Sequence, residues 1–499
     1  MLAQNSTFNP YSRYGLGELS QTTFAHNTGM GGAGIALKPD STMPIFVNMA
    51  NPASYALIKL TALEVGGSFV NSHFYARGGP SVQKSSVNFS YGTLGFPVGR
   101  NGGAAFGIMP YSYVGYDTKS TSEVTGIGNV SYLYSGAGGL NKAFLGYGLM
   151  PFDKRLIRFH RKHLYIADSL KRLSHFQYKS REFFSKILSD FSVGFNGHYL
   201  FGAIQNTTRV VYPNSLLYNN TYRERTLSMG NFTGNFGAQT ALTFDSVMVH
   251  NRKFRHLLEH LSDSVRNNKD LSQEEKERSL QALERRYGPY RRALKEKVKI
   301  TMGFFMGLNS NLKVEYTNGA YNYILNGSGQ EIIRDTAYYK INSSGNIRLP
   351  LEQGFGLGFK KGEKLNIVAD FAITNWQQYK FLNDVNNFKS SYRAAAGFNY
   401  VPEKYASGRG SLPRRMHYRA GFSYQTGYLN INNTLVSDWY VSAGLGFPVG
   451  IGRLSSMVST SLQYGQIGTT ANNLSRQNYW RINFGFTFND RWFQKFKYD

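Results

Sequence analysis

The feature that most constrains the fold is an alternation of apolar and polar residues with a period of two, which recurs along most of the chain. Near the C-terminus, one face of such a segment carries Trp480, Ile482, Phe484, Phe486 and Phe488, and the other carries Arg481, Asn483, Gly485, Thr487 and Asn489. This alternation predicts half-exposed β-strands. A wall that is apolar outside and polar inside is typical of a transmembrane barrel, whereas a soluble sandwich would bury its aromatic face against a second sheet.

The repeated alternation predicts fourteen strands, an even number as in single-chain bacterial barrels. They are expected at residues 60–76, 83–97, 103–116, 129–149, 190–206, 223–246, 297–316, 346–361, 364–380, 389–402, 414–428, 434–448, 452–466 and 477–489. An even count places the N-terminal region and the C-terminus on the periplasmic side, with short turns at 97–103 and 448–453. The predicted fold is therefore all-β: a 14-stranded antiparallel transmembrane β-barrel.

Composition agrees with an exported barrel. The 499 residues include no cysteine, which excludes disulfides and thiolate metal sites. The sequence contains no run of eighteen apolar residues, so no membrane helix is predicted. A barrel strand needs only about 9–11 alternating residues. We expect location in the bacterial outer membrane, with Leu2-Ala3-Gln4 as the remainder of a removed signal peptide. The alternative is a cytosolic chain that simply starts there.

Residues 1–58 lack this alternation and are rich in glycine. Four glycines, Gly29, Gly31, Gly32 and Gly34, are followed by Asn51, Pro52 and Ala53. Glycine permits close backbone approach, and Asn-Pro favours a turn, so this stretch is predicted to be a plug inside a barrel formed by residues 59–499. The spacing Gly29-x-Gly31-x-x-Gly34 also fits a dinucleotide-binding fingerprint. That motif needs a buried strand before it and an acidic residue about 20 positions later, and both are lacking.

These residues carry a family resemblance. GMGGAG (29–34), Asp40 and NPASY (51–55) resemble the N-terminal hatch of FadL-type outer-membrane transporters of hydrophobic compounds. NPYSRYG (9–15) and DRWF (490–493) are similar to the Bacteroidetes variant of that family. The resemblance implies passive uptake of fatty-acid-like molecules. It also implies a kinked third strand that opens a gap in the wall for lateral exit.

Pro110 lies inside the predicted third strand, where a proline removes a ladder donor. We interpret it as the lateral-exit kink that the resemblance implies. The alternative is a proline at the flexible end of the strand.

Alternation also predicts which polar side chains line the lumen: Asn196, His198, Asn309, Asp370, Arg393, Asn399, His417, Arg419 and Arg481. A wet, positively charged interior is ordinary for barrels, and it could also hold a carboxylate head group.

Nearly half of the net charge of +26 lies in two insertions, at residues 151–189 and 248–297. Both are predicted to be helical and periplasmic, with a capping box formed by Ser272 and Glu275 and a helix stop at Gly288-Pro289. Without a nucleic-acid motif, the charge points to anionic lipid or to protein partners rather than to nucleic acid. Simple decoration of turns is the alternative.

No catalytic constellation stands out, so we predict that the protein is not an enzyme and uses no cofactor or metal. His256-x-x-Glu259-His260 matches an inverzincin pattern, but no third zinc ligand is identifiable. Two functions are left: uptake of hydrophobic compounds, or a structural or accessory subunit of an outer-membrane machine, for type IX secretion or outer-membrane protein assembly. In the second case the basic periplasmic helices would dock partners.

Overall fold

The computed structural model describes residues 6–21, 23–39, 46–152, 175–213, 217–249, 261–268, 272–291, 294–326, 328–381, 388–404, 406, 410–449, 456–490 and 492. Its strands are β1 Glu18–Leu19, β2 Thr61–Ala76, β3 Val82–Val98, β4 Gly102–Val124, β5 Gly128–Leu149, β6 Ser192–Val211, β7 Asn220–Val249, β8 Leu294–Gly307, β9 Asn311–Leu325, β10 Glu331–Arg348, β11 Glu352–Lys361, β12 Leu365–Thr374, β13 Lys380–Phe381, β14 Ser391–Tyr400, β15 His417–Gln425, β16 Asn430–Ile431, β17 Thr434–Leu435, β18 Asp438–Val449, β19 Ser456–Gly468 and β20 Ser475–Asp490. The α-helices are α1 Ala25–Thr28, α2 His175–Ser189, α3 Gln273–Arg291 and α4 Leu412–Arg415. Residues 261–267 are also helical, and 3-10 turns occur at Pro10–Arg13, Pro52–Leu57, Trp376–Gln378 and Ala471–Asn473.

Fourteen of these strands close into an antiparallel barrel, which confirms the predicted fold class. The wall runs β2-β3-β4-β5-β6-β7-β8-β11-β12-β14-β15-β18-β19-β20, and β20 pairs with β2 to complete the ring. The alternation has its expected consequence in β20, where Phe484 and Phe486 are exposed on the outside. Asn483 is buried inside and donates to Ser461 Oγ at 3.2 Å.

Two predicted strands, 297–316 and 346–361, are wrong because each runs across the boundary between two observed strands; the second spans the end of β10 and all of β11. Instead of a strand over 297–316, β8 ends at Gly307 and pairs directly with β11, while a new strand, β9, starts at Asn311. The hairpin β9–β10 extends the wall above β8 and β11, because β9 pairs with the upper half of β7 and β10 pairs with β13. Most of β10 is exposed on both faces, as at Ile332 and Ile333, so that part carries no alternation from which its position could be predicted.

The barrel has two unlike rims. The short-turn rim carries the tight connections at 99–101 and 362–364 and the end of β20. The long-strand rim carries the tall β4–β5, β6–β7 and β9–β10 hairpins. In outer-membrane barrels the short turns face the periplasm.

Both helical insertions leave the wall at the short-turn rim: α2 precedes β6, and α3 precedes β8. Ser272 and Glu275 form the predicted reciprocal capping bonds, which lower the pKa of Glu275. The predicted stop at Gly288-Pro289 is wrong, because α3 continues to Arg291. The proline falls in the last turn, where only one intrahelical bond depends on its nitrogen. Residues 153–174 of the first predicted insertion and 250–260 of the second lie outside the described residues. No described helix is long and apolar enough to cross a membrane.

The interior is packed by the plug. Phe24, Met49 and Tyr55 of the plug form a buried cluster with Tyr91 and Met109 of the wall, and the rings of Phe24 and Tyr91 stack with centroids 4.1 Å apart. A second apolar cluster occupies the lumen nearer the long-strand rim and includes Leu16, Leu140, Leu200, Leu227, Leu312 and Trp376. The protein core therefore lies inside the barrel.

Candidate functional site

The glycine run of the plug lies directly against the wall. Gly31 and Gly32 have φ values of +68° and +73°, in the left-handed region that favours glycine. A Cβ on Gly31 would lie 2.5 Å from the carbonyl oxygen of Phe422 and 2.8 Å from that of Ala396. Only glycine lets the plug backbone approach β14 and β15 this closely.

Wall side chains bind the same run by its backbone. The Asp370 Oδ2 atom accepts hydrogen bonds from Gly34 N at 2.6 Å and Ile35 N at 2.9 Å. Arg393 Nη2 donates to Gly32 O at 3.0 Å, and Tyr440 Oη donates to the carbonyl oxygen of Gly31 at 2.9 Å. The carboxylate accepts from backbone N–H groups, and a guanidinium and a hydroxyl donate to backbone carbonyls, so each contact pairs a donor with an acceptor.

A second anchor lies nearly opposite, on β2. The carboxylate of Glu64, which is buried, accepts from Val47 N and from Thr487 Oγ1. Asn51 bridges plug and wall, because its Nδ2 donates to both Ile35 O and Phe304 O at 3.0 Å. Its Oδ1 caps the following 3-10 turn by accepting from Ala53 N at 3.1 Å. The plug is thus held from several sides.

The ladder between β3 and β4 stops half-way up the wall. These strands pair from Val98–Gly102 to Gly92–Ile108 and no further. Above that point β3 remains paired only with β2, while β4 remains paired with β5. Pro110 lies two residues beyond the last β3–β4 pair, next to an irregularity in the β4–β5 register between Pro110 and Ser112. A seam therefore separates the upper halves of β3 and β4, beginning beside the residue predicted to mark a kink.

The N-terminal residues 6–20, here called the strap, run along this seam. In the strap, β1 pairs antiparallel with β4, with Glu18 opposite Tyr113 and Leu19 opposite Ser112. Ser12 Oγ accepts from Gly115 N at 3.1 Å. The strap occupies the edge of β4 that β3 has left.

Two contacts tie the other side of the seam. Asn88 Nδ2 of β3 donates to Ser6 O of the strap at 2.9 Å. Tyr113 Oη of β4 donates to Phe89 O of β3 at 3.3 Å, directly across the seam. On the β3 side, the seam is therefore closed by single side-chain hydrogen bonds rather than by a ladder.

Two cavities lie beside these elements. One of about 170 Å³ is bordered by Ser90 and Tyr113 at the seam, by Glu18 of the strap, and by Asp438, Tyr479 and Arg481. The other, of about 240 Å³, is bordered by Lys142, His198, Glu352, Asp370 and Arg393. Both are lined by ionisable groups as well as by apolar ones.

The structure places the predicted lumen residues as follows. Asn196 and His198 are buried beside Asn235, with Asn196 Nδ2 donating to Asn235 Oδ1 at 3.0 Å. Arg419 Nε donates to Asn399 Oδ1 at 3.1 Å, and His417 Nδ1 lies 3.0 Å from the same oxygen. The Arg481 guanidinium lies 5.2 Å from the centre of the Tyr479 ring.

Asn309 is the exception, because it lies exposed in the turn between β8 and β9. Its Nδ2 donates to Gln378 Oε1 at 3.3 Å, outside the lumen.

Sequence reasoning missed Glu64, Lys142 and Glu352. Each is a charged side chain at an inward position of its strand, so alternation alone could have found them. His256, Glu259 and His260 lie outside the described residues. Within the part of the chain that the structure describes, no group of acidic and histidine side chains could hold a metal ion.

Residues 1–162 and 248–499 match the model of the BamG family. The chain belongs to the BamG family. No curated protein matches its sequence. Among solved structures, this BamG family member is similar to the P. putida toluene transporter TodX, with 13% identity, 95% of this chain and 100% of that chain covered, and a TM-score of 0.50.

Two further similar structures are the Ralstonia pickettii toluene transporter TbuX and the CymD monoaromatic hydrocarbon channel. TbuX has 10% identity, coverage of 95% and 99%, and a TM-score of 0.46. CymD has 12% identity, coverage of 97% and 99%, and a TM-score of 0.44. At the level of fold, the TodX match agrees with the expected similarity to FadL-type transporters. The BamG family member is an outer-membrane-type barrel.

Proposed function

We propose that this BamG family member is a passive outer-membrane transporter of hydrophobic, fatty-acid-like compounds, which leave the barrel sideways between β3 and β4. The observation that carries the proposal is the seam above Ile108, where the β3–β4 ladder ends inside the wall. Lateral exit spares an apolar molecule the aqueous periplasm, because its transfer from hydrocarbon to water is unfavourable.

The strap is the proposed gate. An open strand edge inside a bilayer leaves backbone groups unpaired, each at a cost of several kcal/mol, so the β4 edge needs a partner. The strap supplies that partner through the two residue pairs of β1 and through Ser12. Because the strap pairs with β4 over only two residues, it can be displaced while the long β4–β5 ladder stays intact.

The plug motifs are proposed to support the gate rather than to bind ligand. The strap continues into α1 and the glycine run, which are tied to the wall by Asp370 and Arg393. Movement of Gly31, Gly32 and Asn51 would shift the strap away from the seam. Entry would occur past the aromatic residues at the long-strand rim, where Trp376 and Tyr428 stack with ring centroids 4.1 Å apart.

A reversible lock on the strap tests this function. Leu19 and Ser112 are directly opposed in an antiparallel pair. Their Cα atoms are therefore about 4.5–5.5 Å apart, within the range that a disulfide needs. The natural chain has no cysteine, so Leu19→Cys with Ser112→Cys adds one bond and no competing thiols.

With the disulfide formed, uptake of a fluorescent fatty acid by cells should fall to background, and dithiothreitol should restore it. The matched control is Asn71→Cys with Ser85→Cys, an opposed pair in the β2–β3 ladder, on the edge of β3 that faces away from the seam. That pair should leave uptake unchanged in both redox states. Equal uptake by the oxidised and reduced forms of the Leu19→Cys, Ser112→Cys variant would refute strap-gated transport.

A second candidate is a structural or accessory subunit of an outer-membrane machine. The observation that favours it is α3, a capped helix at the short-turn rim whose side chains at Gln273, Glu274, Glu277 and Arg278 are exposed. A surface of this kind suits a docking partner. Replacing residues 261–291 by a short linker should then release co-purifying proteins while the uptake of the fatty-acid probe is unchanged. If the protein works alone as a transporter, this deletion should change neither the set of co-purifying proteins nor the uptake of the probe.

A further inference from the structure

Helix α2 meets the barrel on its outward face. Thr240 Oγ1 of β7 donates to Ile187 O near the end of α2 at 2.8 Å. On β7 the inward side chains are the odd-numbered ones, since Gln239 Nε2 reaches into the lumen and donates to Ile35 O of the plug at 2.7 Å. Thr240 therefore belongs to the lipid-facing row, and α2 lies against the outside of the wall.

The exposure of neighbouring lipid-facing side chains agrees with this position of α2. In register with Thr240 are Met302 of β8 and Leu357 of β11, which are 43% and 60% exposed, as a lipid-facing row should be. One step nearer the short-turn rim, Leu242 faces the same way but is only 6% exposed. Strand β6 cannot cover it, because the β6–β7 ladder ends at Ser192–Gln239. The segment directly before β6 is α2, which packs against β7.

The face of α2 turned away from the barrel is apolar. Ser185 is buried, which marks the side that packs on the wall. Phe176, Phe183 and Ile187 follow at the spacing of one helical stripe on the opposite side, with Phe184 at its edge. Phe176, Phe183 and Phe184 are 81%, 47% and 60% exposed. Three exposed phenylalanines on one short helix are unusual for a surface in water.

Two observations indicate that lipid covers the apolar face of α2. The stripe continues the lipid-facing aromatic belt of the adjoining wall, which includes Phe195, Phe236 and Phe244. The insertion that contains α2 carries ten Lys and Arg against three Asp and Glu between Phe152 and Ser189, which complements anionic head groups.

We infer that α2 is an interfacial helix whose Phe176–Phe183–Phe184 face is inserted into the phospholipid leaflet at the short-turn rim. A helix of this type lies in the plane of the interface with its apolar face about 5–10 Å into the head-group boundary. It extends the lipid contact of the barrel beyond its wall. The family match leaves out residues 163–247, which contain α2, so the inference concerns this chain. It does not depend on the proposed transport function.

A cysteine label on the full-length protein tests the inference. Phe183→Cys carries an environment-sensitive nitrobenzoxadiazole label, and the protein is reconstituted in vesicles of phosphatidylethanolamine with phosphatidylglycerol. Glu277→Cys on α3 is the matched control, an exposed position on a helix at the same rim. Phe183 is exposed, so its replacement leaves the barrel folded, which heat-modifiable gel mobility checks.

Nitroxide-bearing phospholipid should quench the label at position 183 several-fold more than the label at 277, and aqueous iodide should show the reverse order. Replacing phosphatidylglycerol by phosphatidylcholine should reduce the lipid quenching at 183. Equal iodide quenching at both positions would place the face in water and overturn the inference. Shielding of 183 from both quenchers would show that protein covers it, and would overturn the inference equally. If lipid quenching at 183 is the same with phosphatidylglycerol and with phosphatidylcholine, the proposed preference for anionic lipid is overturned.

Discussion

Replacement of Asp370 by alanine should loosen the plug without unfolding the barrel. The Asp370 carboxylate accepts two plug N–H groups, from Gly34 at 2.6 Å and from Ile35 at 2.9 Å. Each buried donor left without a partner costs about 1–3 kcal/mol, so the two together cost about 2–6 kcal/mol. Asp370 also borders the 240 Å³ cavity, from which water can reach the exposed donors. We therefore expect the low end, about 2–3 kcal/mol.

The assay is hydrogen–deuterium exchange of the plug peptide that contains Gly34 and Ile35. A loss of about 2–3 kcal/mol corresponds to exchange about 30- to 150-fold faster, since about 1.4 kcal/mol is tenfold. Asp370→Asn is the matched control. It keeps a neutral acceptor oxygen, and because charged hydrogen bonds are roughly twice as strong as neutral ones, it should cost about 1 kcal/mol and speed exchange about fivefold.

A peptide from β2, Thr61–Ala76, is the internal reference for the barrel itself. Its exchange should be the same in the natural protein and in both variants. Unchanged plug exchange in Asp370→Ala would refute the anchoring role. Faster exchange in β2 as well would show that Asp370 stabilises the whole barrel rather than the plug.

Three other predictions follow from the seam, the wall and the glycine run. Pro110→Val should restore a ladder donor beside the seam and slow uptake of a fluorescent fatty acid with no loss of folded barrel, since valine favours extended backbone; normal uptake would contradict it. Phe486→Arg near the midplane should lower the unfolding free energy by about 2–4 kcal/mol in urea titrations, and Asn483→Arg by much less; equal losses would argue against a lipid-facing Phe486. Gly31→Ala should accelerate exchange of the plug, because its Cβ would meet wall backbone, whereas Gly67→Ala, with its nearest contact at 3.4 Å, should not.

Much of the wall was predictable because a membrane barrel imposes the same rule on every strand. A lipid-facing side chain must be apolar and the next one need not be, so alternation in β20 fixes which residues face out. The rule fails where the membrane ends. The outer part of β10 is exposed on both faces and gives no period. The start of β9 alternates like a wall strand, with Leu312 and Val314 buried, which is why β8 and β9 were merged into one predicted strand.

The site was predictable in its members but not in its contacts. Inward positions such as Asp370 and Arg393 follow from alternation, yet their binding to Gly34 and Gly32 depends on where the plug lies in three dimensions. Glu64 also alternates inward and could have been found in the same way, but its bond to Val47 could not, because Val47 lies in the plug, which has no period. The pairing of the strap with β4 joins residues far apart in sequence, for which no local pattern exists.

The closure of the ring by β2 and β20 has a consequence for how the molecule is assembled. This ladder joins Thr61–Ala76 to Ser475–Asp490, so the wall stays an open arc until its last strand has paired with its first. The plug and strap must lie within that arc before it shuts, because they are bonded to β2, β4 and β12 at once. Closure of the ring by β20 therefore encloses the N-terminal segment, and the finished wall holds it in place.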